Sequence, residues 1–414
     1  VDHERSAEAG YAALLEWRRK TETDPEGPWR MQGIDSALRF AATFPQHENA
    51  ASVQTVASEE LFELGQLEQA AAAAQDLLAM SEGGIQDSHR KTALLVLGHA
   101  SFDLGEFSVA ESAYTQSLHY LEDEEQTASV RERLAASIYS QASAVAATDP
   151  AMAVEHYQRV RFAVPESAIA ATADYDAAIL LMQTDRWQMA AESMADFRQR
   201  YPDHELQDQV TVNLATAWLE SGDKDAAAGE LVRVSRLESE DSEVRRAALW
   251  QAVELYTETG DEAQARAGWM DYVARFPLPL DPAMEARNAL VELYKQQGDA
   301  QGTIKWLNAI VAADREAGSA ASGRSKSLAA HATLELAEPD RQAFEMLTLD
   351  APLEKSLARK KAMMETALAG YADAAEYGIS EVTTQATFRV AEIYRDFGTA
   401  LMDSERPSDL DEAA

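Results

Sequence analysis

The sequence predicts an all-α chain, a solenoid of antiparallel helix pairs, and three observations carry that prediction. Helix breakers are scarce: Gly 19 and Pro 12 among 414 residues fall below the usual ~7% and ~5%. Apolar residues recur at three- and four-residue spacing on both sides of short turns, as the buried faces of paired helices require. The same frame then returns along most of the chain, and a period between about 20 and 50 residues marks a stack of like units. With 46% hydrophobic residues the chain has enough apolar side chains to fill such a core.

Residues 4–44 read as a first, degenerate pair, with Trp17 in one helix and Phe40 in the other. Residues 49–316 hold the regular part. Its clearest segment is Ala93 to Leu118, ALLVLGHASFDLGEFSVAESAYTQSL, with the turn at Gly105-Glu106. The turn position recurs at Gly65, Gly105, Thr148, Asp185, Gly222, Gly260 and Gly298, in steps of 40, 43, 37, 37, 38 and 38 residues. Five residues after each turn stand Ala70, Ala110, Ala153, Ala190, Ala227, Ala265 and Thr303. Small side chains at that place allow two helices to cross closely. Pro45, Pro165, Pro202 and Pro277 end second helices, three of them as Phe44-Pro45, Tyr201-Pro202 and Phe276-Pro277. After Asp314, the run REAGSAASGRSKS breaks the pattern and predicts a loop or hinge near 316–323. Helices are expected near 325–337, 352–377 and 380–402, and Glu381 to Leu401 reads as the first helix of a further repeat.

The segment at 93–118 resembles the tetratricopeptide repeat (TPR). Leu97-Gly98 match its Leu-Gly pair, Gly105-Glu106-Phe107 its turn, and Ala110, Tyr114 and Leu118 its second-helix core. The resemblance covers about residues 49–316 and implies a right-handed superhelical solenoid of about seven repeats there. Residues 1–48 are then a degenerate N-terminal repeat, and 317–414 a divergent continuation cut at its C-terminal end. Long repeats with aromatic-Pro endings resemble the TPR proteins of bacterial cell envelopes. That implies a periplasmic or envelope-associated address, with the cytoplasm as the alternative.

Charge excludes several functions. Lys+Arg 36 against Asp+Glu 71 leaves a net charge of −35, which phosphate repels unless a basic face exists, and none is evident. Nucleic acid is therefore not expected. Zero cysteine removes disulfides, thiolate zinc sites and cysteine nucleophiles. The basic residues are 27 Arg and 9 Lys. This Lys-poor, acidic composition fits a GC-rich genome or adaptation to salt. No run of 18 apolar residues exists, so no transmembrane helix or membrane insertion is expected. The chain opens VDHERSAEAGY, without an apolar signal core, and closes on SERPSDLDEAA, where Leu410 to Ala414 read like the start of another helix. Both ends are expected to be cuts in a longer protein.

Chemistry is hard to find. The eight His lie in no metal-ligand spacing, and HExxH and GxSxG are absent. The acidic runs Glu122-Asp123-Glu124-Glu125 and Glu238-Ser239-Glu240-Asp241 read as solvated turns, since neither has the alternating oxygens and central Gly of a calcium loop. Gly318 to Ser325 approaches a phosphate-binding loop but follows a helical stretch rather than a strand and has Arg324 in place of Lys, so a linker ending in a Ser cap is expected. No enzyme, cofactor or metal is expected.

In a TPR stack the first helices line the concave face. Carried onto this chain, the TPR frame places the groove at positions 10, 6, 3 and 2 residues before each turn. The resulting partner-binding candidates are His99, Phe102, Tyr175, Ile179, Met182, Thr216, Trp250, Glu254, Glu258, Glu292 and Lys295. This groove is apolar and aromatic in its first half and acidic in its second, which suits a peptide or helix with apolar and basic residues. Tyr175 and Trp250 fit equally the packing between repeats. No Lys is followed by Asn four residues later, as the chaperone-binding TPRs have, so chaperone tails are not expected. The sequence points to a non-catalytic interaction scaffold, part of a larger envelope protein, able to form a homo-oligomer. The alternatives are a structural or self-associating spacer with an empty groove, and the regulatory arm of an enzyme whose catalytic domain lies outside this chain.

Overall fold

A computed structural model describes residues 5–25, 27–80 and 85–404. Among them every regular element is helical, twenty α-helices in all, and the fold is all-α and TPR-like. The chain forms two compact units, Val1–Ala217 and Trp218–Ala414.

In the first unit the helices pair in succession. They are α1 (Ser6–Thr23) with α2 (Trp29–Thr43), α3 (Ala50–Glu63) with α4 (Leu67–Leu78), and α5 (Asp87–Asp103) with α6 (Phe107–Ser117). Then come α7 (Glu124–Val145) with α8 (Pro150–Ala163) and α9 (Ala168–Gln183) with α10 (Trp187–Arg200). The helix α11 (Gln207–Ser221) carries the division between the units. The second unit continues with α12 (Lys224–Val234), α13 (Ser242–Thr259) with α14 (Glu262–Arg275), and α15 (Leu280–Gln296) with α16 (Ala300–Ala317). It ends with α17 (Gly323–Leu336) and α18 (Glu338–Met346), then α19 (Leu353–Glu376) and α20 (Ser380–Asp403).

The expected turns are present, and their geometry explains the Gly. Gly65, Gly105, Gly222, Gly260 and Gly298 have φ between +69° and +87°, and Asp185 has +57°. This left-handed residue closes the first helix. At Gly260, the following Asp261 N–H donates to Tyr256 O at 2.9 Å, the long bond of a Schellman end. Asp261 then caps the second helix by accepting from Gln264 N at 3.0 Å, as Asp223 and Asp299 do in their repeats. Thr148 departs from this: it is not left-handed, and Asp149 both closes on Val145 O and caps α8 before Pro150.

The six Ala five residues after the turns are 0–1% exposed and Thr303 is 9% exposed. Phe44, Tyr201 and Phe276 share one conformation, φ −123° to −125° and ψ 58° to 66°. Each precedes a proline that excludes it from the α region, so the chain leaves the helix there.

The expected loop near 316–323 is present as one short turn with the expected Ser cap: α16 runs to Ala317, Ser322 caps α17 through Ser325 N, and Ser325 Oγ donates to buried Asp314 at 2.7 Å. Two readings need correction. The short helix α18, with Pro339 in its first turn, was not foreseen. And α20 is a second helix: α19 and α20 form a pair whose turn holds Gly378 at φ +69°. The acidic run at 122–125 is the cap and first turn of α7, where Asp123 accepts from Gln126 N. The suggestion of a further helix at 410–414 lies outside the described residues.

Candidate partner-binding faces

The first helices of successive pairs touch one another, α3 with α5, α7 with α9, α15 with α17. Side chains on these helices therefore have two possible neighbours: the next first helix, or their own second helix. That choice decides what remains free for a partner.

In the first unit, His99 lies half-buried against Phe62 and shares a 2.7 Å hydrogen bond with the Tyr114 hydroxyl. Burial, helped by Arg133 and opposed by Asp103, lowers its pKa to about 4, and burial raises that of Tyr114 to about 12. His99 is a neutral structural group at pH 7. Phe102 stands edge-on to Phe107. Tyr175 packs edge-on to Phe197, and its hydroxyl accepts from Asn213 Nδ2 at 3.1 Å. Ile179 and Met182 are half-buried, and Thr216 is exposed.

In the second unit, Trp250 is wedged edge-on between Trp269 and Tyr272, with ring centroids 4.6 and 5.3 Å away, and donates to Glu254 at 2.7 Å. Glu258 pairs with Lys224 at 2.7 Å. Lys295 bridges Glu292 at 3.1 Å and Glu335 at 2.7 Å. Burial pulls the Lys295 pKa down, but these two carboxylates outweigh it and hold it above the ordinary value. The acidic stretch is thus an internal ladder, in which most carboxylates already have a partner.

The sequence reading missed a recess between the two first helices α1 and α3, floored by α2. Its volume is about 290 Å³. Leu14, Leu15, Val53, Val56 and Ala57 wall it, and Arg18 and Glu60 stand at its rim. Burial raises the pKa of Glu60, while Arg30 and Arg18 act against that rise. Arg30 is itself committed to Glu63. The signal was present in the spacing of Val53, Val56, Ala57 and Glu60 along one face of α3.

Among the described residues no group of three or more His, Asp or Glu is placed to hold a metal ion. No described helix is long and apolar enough to cross a membrane.

No family model and no curated protein matches the chain. Solved structures similar to it include the apo form of RapI, at 14% identity over 95% of this chain and 98% of that one, TM-score 0.28. A tetratricopeptide repeat protein from Parabacteroides merdae is 13% identical over 67% of this chain and 97% of its own, TM-score 0.26. YrrB, described as a TPR protein with an unusual peptide-binding site, is 15% identical over 50% of this chain and 95% of its own, TM-score 0.27.

Proposed function

We propose that the chain is a non-catalytic interaction scaffold, in the bacterial cell envelope, that holds a segment of a partner protein against its first helices. The observation that carries this reading is the recess between α1 and α3. Leu14, Leu15, Val53, Val56 and Ala57 give it an apolar wall beside the polar Thr21, Glu22 and Arg30, its size suits one large side chain, and Glu60 at its rim is half-buried. A carboxylate with a raised pKa gains when a cation approaches. The segment that fits is therefore an apolar side chain, such as Leu or Phe, next to Lys or Arg. Phe102, Ile179 and Met182 are further half-buried apolar side chains on first helices of the first unit. The envelope address rests on the long repeats with aromatic-Pro endings.

The test is selection from a displayed random peptide library on the intact chain. Enrichment of apolar–basic sequences that no longer bind Val56→Glu supports the reading. Absence of enrichment, or binding indifferent to Val56→Glu, sinks it. A spacer is the second reading, and it draws on the internal partners of Tyr175, Trp250, Glu258 and Lys295, which leave those positions little to offer a ligand.

A further inference from the structure

The recess between α1 and α3 has two ends of different chemistry. Leu14 and Leu15 on α1, with Val53, Val56 and Ala57 on α3, form the apolar end. Each wall then carries a charge further along: Arg18 stands four residues after Leu14, and Glu60 four residues after Val56. Four residues of helix are about 6 Å, so each charge lies one turn beyond the apolar end. They also act on each other. Burial raises the Glu60 pKa, and Arg30 and then Arg18 favour its charged form.

The cations beside Arg18 are already committed, Arg19 to Glu16 at 3.1 Å and Arg30 to Glu63. Among the described residues Arg18 and Glu60 form no ion pair with each other or with a third group. An exposed guanidinium and a half-buried carboxylate thus border the same opening, one on each wall.

This arrangement discriminates between segments of different charge. A segment bringing only a base meets Glu60 but is repelled by Arg18. A segment bringing only an acid meets Arg18 but is repelled by Glu60 and by Glu22, which also lines the recess. A segment bringing both satisfies both walls. The chain as a whole, at −35, attracts any basic segment at long range. Arg18 is what makes this recess selective among them, because it penalises a base that arrives without an acid.

We propose, on the scaffold reading above, that the partner segment carries an acidic and a basic residue together about 6 Å beyond its apolar anchor, the acid on Arg18 and the base on Glu60. A helical segment meets this with charges three and four residues from the anchor. Because the two charges belong to different helices, they also fix which side of the segment turns towards α1.

The test is selection of displayed peptides on the intact wild-type chain and on the exchanged variant Arg18→Glu/Glu60→Arg, with circular dichroism confirming that both are helical. Expected is enrichment, on the wild type, of an apolar residue with an acid and a base beside it. Swapping the acid and base within such a peptide should weaken binding to the wild type by about tenfold or more and restore it on the exchanged variant. Arg18→Gln alone should weaken the original peptide and serves if the exchanged variant does not fold. Absence of any binder sensitive to Val56→Glu removes the scaffold reading and the proposal with it. Binders that are sensitive to Val56→Glu but lack an acid, or are indifferent to Arg18→Gln, leave the scaffold reading standing and overturn the proposal alone.

Discussion

His99 shows how a single residue can resemble a ligand contact and be part of the core. Its pKa of about 4 lies below the ordinary 6.5 because burial disfavours the imidazolium. Between about pH 6.5 and about 4 the unfolded chain takes up a proton at this position and the folded chain does not. Stability therefore falls as pH is lowered through that window. Replacing it by Gln removes this contribution, so His99→Gln should show a flatter melting temperature between pH 6.5 and 4 than the wild type. A variant whose pH profile parallels the wild type would contradict the assignment. Asp185 makes a complementary case. It holds the left-handed conformation that Gly holds in neighbouring repeats, at some steric cost for a residue with a Cβ. Asp185→Gly is expected to raise unfolding free energy, by up to about 1 kcal/mol in urea denaturation. The position of both residues in the repeat was legible in the sequence; the Tyr114 partner and the neutral state of His99 were not, because they depend on how deeply two helices bury one ring.

At the scale of elements, spacing predicted what local chemistry determines and failed where packing decides. Glycine turns, Asp caps and aromatic-Pro ends are written into neighbouring residues, and the helices from α3 to α16 follow them. Asp261 is a direct check: its carboxylate satisfies an otherwise unpaired N–H at the start of α14. Asp261→Ala should cost about 1 kcal/mol in urea denaturation, and an unchanged midpoint would mean the cap is dispensable. The C-terminal helices were harder. Nothing in the periodicity of 380–402 distinguishes a first from a second helix; that follows from α20 packing on both α19 and α17. The connection read at 316–323 is present but short. Its Gly and Ser are turn-forming residues, but Ser322 and Ser325 spend their hydroxyls on a helix cap and on Asp281 and Asp314. The candidate groove shows the same limit: the frame placed its residues on first helices, yet the contacts of Tyr175, Trp250 and Lys295 depend on rotamers that no spacing encodes.

For the whole molecule, charge and binding are the questions that matter. A net charge of −35 repels itself, and added salt shortens the reach of that repulsion from ~30 Å at 0.01 M to ~10 Å at 0.1 M. The melting temperature is expected to rise with NaCl over that range, and a flat or falling curve would contradict it. The scaffold reading stands on the recess between α1 and α3. It is tested most directly by calorimetric titration of an apolar–basic peptide, obtained by selection, into the intact chain. The account predicts one peptide per chain, affinity weakened at least tenfold in Val56→Glu, and affinity unchanged in Tyr175→Ala, which acts within the fold. Binding that survives Val56→Glu but is lost with Tyr175→Ala would place the partner elsewhere on the first helices and contradict the account.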